Sequence, residues 1–351
     1  MNTGHESFAD TKRVSDAIID AIRHSEHPIV ITHARVDADA VGSAVGLAAL
    51  CAHAGTDAAA VRAGDFRVSK SLDFLDPDGL LSDRNLDPIR DADLVVFVDC
   101  ADENRAGEVS RILSERETPY STVNIDHHVT NTRFGDINLV VPEAAATCEI
   151  LAHVFPALGI KIDSKLATAL LAGVYGDTLG LKTPSTTPST MRASADLYEA
   201  GAYLDLIVDR LFRKKPMSTA HLWGEVQSRA AWHGRLVWAI VTNDMLERTD
   251  AAPSETEGLV NFLAGVEGAF AAALVQEAED GWRVSLRSTT SAVDVSKLAS
   301  HFGGGGHPRA AGCRLEPGRK SVDTFLNYME AQLDKLPGDA GTRPEHASLA
   351  R

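Results

Sequence analysis

Short apolar runs alternate with helical patterns along the first part of the chain. A helical spacing over 15–23 precedes the run HPIVITHA, which predicts a buried strand, and a second helical pattern covers 40–53. Two more strand-like runs, DLVVFVDC near 94–99 and STVNIDHH near 122–126, each end in an acidic residue. Strand, loop and helix in this order predict a doubly wound α/β domain with a mainly parallel sheet, whose ligands bind beyond the carboxyl ends of the strands.

A second block of elements follows a basic, proline-containing segment. Helices are predicted at TCEILAHVFPALG, SKLATALLAGVYGD, 190–203 and 204–212, and RKKPMS after Phe212 is a candidate hinge. Beyond the hinge we predict helices at 220–232, 256–265, DVSKLASHF and 322–336, with strands at RLVWAIVTN, AFAAALVQE and WRVSLRS. The chain therefore divides into an α/β domain over 1–200, a helical linker over 201–219, a smaller α/β domain over 220–336 and a disordered tail over 337–351.

Composition restricts the class of partner. The net charge is −15, and ten Lys stand against 24 Arg, which favours a chain adapted to high salt over an ordinary acidic protein. Extended duplex binding through a basic face is therefore disfavoured, so an anionic substrate must meet metal ions or a few local Arg side chains. The polar N-terminus and the lack of a long apolar run predict a cytoplasmic protein without membrane contact. The four widely spaced Cys are expected in the core.

Acidic and histidine side chains follow the predicted strands. THARVDADAVGS places His33, Asp37 and Asp39 within one strand-to-helix loop, although aspartates at a helix start also serve as caps. Asp99 ends VVFVDC, and NIDHH supplies a carboxylate beside two imidazoles. Asp177 follows a helix of small residues, where the helix dipole disfavours a carboxylate unless a cation lies nearby.

This mixed set of ligands predicts a site for two divalent ions. Imidazole and carboxylate donors favour Mn²⁺, with Mg²⁺ or Co²⁺ as alternatives, over thiolate-bound zinc. Six or seven ligands exceed the need of one ion, and they suit a pair bridged by a shared carboxylate and a water that attacks the substrate.

At this point the motifs resemble those of the DHH phosphoesterase superfamily. THARVDADAVGS, VVFVDC, NIDHH and the GDT segment are similar to its four ordered motifs, and VSLRSTTSAVDVSKLASHFGGGGHPRAAG is similar to its associated C-terminal domain. The resemblance runs from residue 33 to residue 312 and is closest to the nanoRNase and phosphoadenosine phosphate phosphatase group. It implies a DHH catalytic domain joined by the helical linker to a smaller substrate-binding domain.

The resemblance also implies a role for each candidate residue. One metal would be held by His33, Asp37 and Asp99, and the other by Asp39, Asp99, His127 and Asp177, with Asp99 as the bridge. His128 would act on the scissile phosphate as charge stabiliser or proton donor, and Asp126 would orient a histidine. In the fourth motif, Gly176 and the segment 179–182 depart from the family pattern.

The glycine run near the end of the chain is a candidate phosphate cradle. Four glycines alone would suit a flexible linker, but His307 and Arg309 beside them can donate to phosphate, and Arg287 ends a strand nearby. The predicted substrate contacts are Arg287, Gly304, Gly305, Gly306, His307 and Arg309.

The predicted activity is hydrolysis of a phosphate ester by attack of a metal-bound hydroxide. The sequence leaves the substrate open among short oligoribonucleotides, 3′-phosphoadenosine 5′-phosphate, cyclic di-AMP and its linear product, and a homodimer is also left open. A RecJ-type exonuclease, an inorganic pyrophosphatase and a non-catalytic nucleotide sensor are weaker alternatives. Because the donors of the second domain are few and clustered, substrates of one to a few nucleotides are expected.

Overall fold

The computed structural model describes residues 11–34, 36–56, 59–62, 72–77, 79, 81–82 and 86–336. They belong to two compact units, Met1–Lys214 and Lys215–Arg351. The division falls inside the predicted linker 201–219, where Ile207 is fully buried in the core of the first unit. The predicted disordered tail, 337–351, lies outside the described residues.

The first unit alternates strands and helices along the chain. Its strands are β1 (Pro28–Thr32), β2 (Ala59–Arg62), β3 (Leu81–Ser82), β4 (Leu94–Val98), β5 (Ser121–Asp126) and β6 (Ile137–Val140). Its helices are α1 (Thr11–His24), α2 (Ala38–Ala54), α3 (Pro88–Asp91), α4 (Glu108–Ser114), α5 (Thr147–Ala157), α6 (Ser164–Asp177), α7 (Pro188–Glu199) and α8 (Leu204–Val208).

The sheet of the first unit is parallel and covered on both faces. Its strand order is β3-β2-β1-β4-β5-β6, and every neighbouring pair of strands runs parallel. Along β4, Val96 packs into the core with α2, α5 and α6, whereas Val95 and Phe97 pack into a second core with α3 and α4. This alternation confirms the predicted doubly wound fold, in which a ligand site is expected where β1 and β4 diverge.

Helices α2 and α6 approach closely because small residues face each other. A Cβ at Gly42 would lie 2.4 Å from the carbonyl oxygen of Ala169, and one at Gly173 would lie 2.8 Å from Oδ1 of Asp39. Real side chains do not tolerate such distances, so this packing depends on glycine at both positions. The close approach brings the first turn of α2 to the last turn of α6.

The second unit is built on a mixed sheet with helices on both faces. Its helices are α9 (Met217–Ser228), α10 (Asn243–Thr249), α11 (Leu259–Ala264), α12 (Val295–Ser300) and α13 (Arg319–Leu333). Its strands are β7 (Ala231–His233), β8 (Leu236–Val241), β9 (Ala271–Ala278), β10 (Gly281–Ser288), β11 (Gly305–His307) and β12 (Ala310–Leu315). Their order is β11-β12-β10-β9-β8-β7, antiparallel except for the β8–β9 pair.

Two features of the second unit depend on backbone pairing between strands. The predicted helix 220–232 ends early, because Trp232 lies in β7 and pairs with Val237 of β8. The glycine run is not a linker, since its end forms a hairpin in which Gly305 pairs with Gly312. In both places, backbone pairing with a neighbouring strand decides the structure.

The cysteine side chains lie in the protein interior. All four Cys are buried free thiols, as expected from their spacing. No helix within the described residues is long and apolar enough to cross a bilayer.

Candidate metal centre

Three adjacent strands end at the candidate site. His33 follows β1, Asp99 comes directly after β4, and Asp126 is the last residue of β5. Because β4 lies between β1 and β5, Asp99 has a central position at this edge of the sheet. Its backbone adopts φ of 57°, a left-handed conformation that is uncommon for residues other than glycine and is often found at functional sites.

Asp37 has two roles at the start of α2. Its Oδ1 accepts hydrogen bonds from the backbone N–H groups of Asp39 and Ala40 at 3.1 and 3.0 Å, which makes it the N-cap of the helix. Its Oδ2 lies 3.7 Å from Nε2 of His33. Asp37 therefore caps α2 with one carboxylate oxygen and faces the candidate site with the other.

Asp39 is held by the beginning of another helix. Its carboxylate is fully buried and accepts hydrogen bonds from the backbone N–H groups of Thr147 at 2.7 Å and Cys148 at 2.9 Å. These are the first residues of α5, where unpaired N–H groups and the helix dipole favour an anion. These two backbone N–H groups fix the side chain of Asp39 in place.

The two oxygens of Asp99 face different groups of donors. Asp99 Oδ2 lies 3.2 Å from Nε2 of His33, and Asp99 Oδ1 lies 3.6 Å from Nε2 of His127. In the part of the chain that the structure describes, three groups of candidate ligand atoms have all their members within 4.8 Å of one another. They are His33, Asp37 and Asp99; Asp39, His127 and Asp177; and Asp99, Asp126, His127 and His128.

His127 points its Nε2 into the carboxylates. Nδ1 of His127 lies 3.3 Å from the carbonyl of Ala144, to which it can donate. Nε2 then carries a lone pair, and it lies 3.2 Å from Asp177 Oδ2 and 4.0 Å from Asp39 Oδ2. This atom is buried, yet it makes no hydrogen bond of normal geometry within the described residues.

His128 has different surroundings. Its Nδ1 lies 2.7 Å from Oδ1 of Asp126, and the amide of Asn131 donates to Oδ2 of the same carboxylate at 2.6 Å. NH1 of Arg105 lies 3.3 Å from the other ring nitrogen, Nε2. The geometry therefore places Asp126 where it orients His128, with Asn131 holding the carboxylate in turn.

The ionisation of the cluster reflects crowded negative charge. Burial, reinforced by Asp39, raises the pKa of Asp99 well above its ordinary value, and burial raises the pKa of Asp177 to about 7. Burial lowers the pKa of His33, but the carboxylates of Asp37 and Asp99 outweigh it and raise the pKa to about 10. Protons thus balance the carboxylates when no other cation does.

A divalent cation fits this donor set. Among the residues that the structure describes, the buried Nε2 of His127 has no hydrogen-bond partner but faces three carboxylates, which is the arrangement that a metal ligand requires. Nitrogen and oxygen donors without thiolate suit hard or borderline ions. The cluster can therefore bind metal.

Sequence reasoning missed several residues that hold the candidate ligands. Thr147 binds Asp39 through its backbone, and its hydroxyl lies 3.5 Å from Oδ1 of Asp99. Asn131 supports Asp126, and Arg105 reaches His128. Asn131 and Arg105 follow the NIDHH and VVFVDC motifs closely, but Thr147 has no local signal because only the fold brings it to Asp39.

The second unit contains the predicted substrate contacts. Arg287 and Ala310 pair between β10 and β12, and His307 pairs with Ala310 between β11 and β12, so both predicted donors lie at the same end of the two strands that flank β12. Arg309 NH1 lies 3.3 Å from the hydroxyl of Ser288. The Nε of Arg287 donates to Asn261 at 2.7 Å.

The space around a Cβ differs among the glycines of the run. A Cβ at Gly304 would lie 2.2 Å from the carbonyl oxygen of Gly312, and Gly306 has φ of 140° and a similarly close neighbour. Gly305 faces open space. Strand packing therefore explains Gly304 and Gly306, whereas it does not explain Gly305.

Comparisons with known proteins agree with this fold and site. The model of the DHH family N-terminal domain matches residues 28–174, and that of the DHHA1 domain matches residues 236–335. A bifunctional oligoribonuclease and PAP phosphatase, NrnA of Thermus thermophilus, is 32% identical over 91% of this chain and 93% of its own. NrnA of Bacillus subtilis is 26% identical over 82% of this chain and 88% of its own.

A solved structure shows the same fold. The crystal structure of an exopolyphosphatase-related protein from Bacteroides fragilis has a TM-score of 0.82 at 22% identity, covering 92% of this chain and 98% of that one. With the site described above, the chain is a metal-dependent phosphoesterase. It belongs to the DHH family and carries the DHHA1 domain that accompanies it.

Proposed function

We propose that this chain hydrolyses phosphate esters of short oligonucleotides and small nucleotides with two divalent cations. The observation that carries the proposal is the position of Asp99, whose two oxygens face His33 on one side and His127 on the other. A carboxylate between two groups of donors is the arrangement used to bridge a pair of metal ions.

Each candidate ligand has a place in this scheme. His33 and Asp37 with Asp99 would hold one cation, and Asp39, His127 and Asp177 with Asp99 the other. The bound cations would lower the pKa of a water molecule and offset charge on the phosphate. Mn²⁺ is the preferred ion, because the donors combine imidazole with carboxylate, and Mg²⁺ and Co²⁺ are the alternatives.

His128 would act directly on the substrate. Its Nδ1 is engaged by Asp126, which fixes the ring and leaves Nε2 directed toward Arg105 and the exposed side of the site. In that position it can stabilise charge on the phosphate or pass a proton to the leaving oxygen. Asp126 would act through His128, and Asn131 through Asp126.

The second unit would supply the contacts that limit substrate length. Arg287, His307 and Arg309 are grouped at one end of the sheet, and Gly305, which no packing contact explains, is free to approach a phosphate through its backbone. Such a group can hold one or a few nucleotides. The T. thermophilus relative is named as an oligoribonuclease and a PAP phosphatase, and we propose both substrate types for this chain.

The first test is a substrate panel with Mn²⁺, at low and molar salt. It would contain dinucleotides, pentanucleotides, 3′-phosphoadenosine 5′-phosphate and cyclic di-AMP, with products separated by chromatography. The wild type should cleave the first three, and Asp99→Asn should lose both turnover and Mn²⁺ binding measured by calorimetry. Asp196→Asn is the control, because Asp196 is an exposed residue of α7 and the charge change is the same. Unchanged Mn²⁺ stoichiometry in Asp99→Asn would exclude Asp99 as the bridge.

The second test measures kcat/KM against oligonucleotide length from two to about twenty units at several salt concentrations. Efficiency should peak between dinucleotides and roughly pentanucleotides. The salt dependence should be shallow, since each neutralised phosphate contributes only about 0.7 to the logarithmic slope on single strands. Efficiency that still rises beyond about ten units, with a steep slope, would instead indicate a long-strand exonuclease.

A further inference from the structure

Arg105 lies in a turn that is anchored to the candidate metal centre. The single-turn 3₁₀ helix Glu103–Ala106 follows β4 and Asp99, and Asp102 caps it by accepting from the backbone of Asn104 at 2.8 Å. The carbonyl of Arg105 accepts a hydrogen bond from the backbone N–H of Ala34, the residue after His33, at 2.9 Å. The backbone of Arg105 is therefore held between the loops that carry Asp99 and His33.

The side chain of Arg105 extends to a third loop of the centre. NH1 of Arg105 lies 3.3 Å from Nε2 of His128. Since a guanidinium can only donate, Nε2 accepts this bond in the substrate-free state, and the ring then donates from Nδ1 to Asp126. Arg105 thus approaches the one nitrogen of His128 that the Asp126 contact does not occupy.

Arg105 brings a permanent positive charge to an acidic site. Its side chain is exposed, and within the described part of the chain it forms no ion pair with a carboxylate. Other Arg side chains of this unit are paired with carboxylates, as Arg111 is with Glu108 and Glu115. A guanidinium has five N–H donors in a planar fork, and the bond to His128 uses one of them.

We propose that Arg105 contacts a non-bridging oxygen of the scissile phosphate beside His128. This inference rests on the proposed function and adds to it a substrate contact supplied by the metal-binding unit itself. The planar N–H donors of a guanidinium can bind two phosphate oxygens at once. Such donors stabilise the negative charge that grows on the phosphate oxygens during attack. His128 is then positioned by Asp126 at Nδ1, and its Nε2 faces Arg105 and the phosphate that Arg105 binds.

The experiment compares Arg105→Ala, Arg105→Lys and the control Arg111→Ala in the full-length chain. With Mn²⁺ and a dinucleotide, Arg105→Ala should lower kcat by about 10²- to 10³-fold, as expected when one transition-state donor is lost. Arg105→Lys should retain part of the rate, since it keeps the charge but not the fork. Free guanidinium ion should partly restore Arg105→Ala and leave the wild type unchanged. Arg111→Ala should stay within about twofold of the wild type.

Binding measurements separate this proposal from a merely structural role. Arg105→Ala should bind Mn²⁺ with unchanged stoichiometry, whereas the affinity of the Mn²⁺-loaded chain for inorganic phosphate should fall about tenfold. A kcat/KM within threefold of the wild type, or a parallel loss of Mn²⁺ binding, would overturn the proposal. If the wild type cleaves none of the panel, the proposed function fails, and phosphate affinity alone decides the role of Arg105. Equal or absent phosphate binding in the wild type and Arg105→Ala would overturn it.

Discussion

His127 and His128 are neighbours in sequence but differ in their surroundings. Nε2 of His127 is buried among Asp39, Asp99 and Asp177, whereas His128 contacts Asp126 and Arg105. The two side chains are chemically identical. The difference in role that we propose comes from which ring nitrogen each histidine presents and from which side chains lie beside that nitrogen.

Replacing each histidine by Ala should therefore give two distinct defects. His127→Ala should lose one of the two proposed Mn²⁺ ions and most of the turnover, because a proposed ligand is removed. His128→Ala should bind Mn²⁺ nearly as the wild type does, while the rate falls by about 10²- to 10⁴-fold. Calorimetric Mn²⁺ titration and single-turnover kinetics on the two variants check this. Equal loss of metal in both would refute the assignment.

At the scale of elements, the spacing of apolar residues predicted the helices and strands whose formation depends on burial alone. The buried runs of β1, β4 and β5 and the helices α2, α5 and α6 were all predicted, because apolar spacing specifies them. The short edge strand β6 and the strand β7 were missed, since their pairing depends on a neighbour that no local pattern reveals. Most ligand candidates were found because they follow strands, and Asp177 was found because a carboxylate is unfavourable at the end of a helix without a cation nearby. Thr147 and Arg105 were missed because they act through tertiary hydrogen bonds.

The crossing of α2 and α6 links packing to the metal centre. A Cβ at Gly173 would lie 2.3 Å from Sγ of Cys148 and 2.8 Å from Oδ1 of Asp39. Gly173→Ala should therefore displace Asp39, lower the stability of the first unit by roughly 1–3 kcal/mol and weaken Mn²⁺ binding. Gly224→Ala is the matched control, because a Cβ at Gly224 of α9 would meet nothing within 4 Å. Calorimetric unfolding and Mn²⁺ titration measure both effects, and normal Mn²⁺ affinity in Gly173→Ala would contradict this account.

At the scale of the whole molecule, the candidate ligands belong to one compact unit. The proposed ligands come from residues 33–177, inside Met1–Lys214, and the second unit has cores of its own. A cation that binds only the folded first unit stabilises that unit by mass action. The unfolding of the two units should therefore respond differently to metal.

Removing metal should lower the unfolding temperature of the first unit alone. At free Mn²⁺ about 100 times Kd, each bound ion adds roughly 2.7 kcal/mol to the stability of the unit that holds it. The gain should shrink as pH falls, because protons compete for the ligand atoms. Differential scanning calorimetry with Mn²⁺ and with a chelator measures both transitions. Equal shifts of the two transitions, or none, would contradict a metal site confined to the first unit.

The chain order of the candidate ligands also has a consequence for synthesis. His33 follows the first strand, but Asp177 ends α6, and the close contact of Gly173 with Asp39 needs that helix in place. Domains generally fold as units during synthesis, with the N-terminal domain first. The complete set of proposed ligands exists only once α6 has emerged and packed, so the newly made protein should acquire its cations only after α6 has been translated.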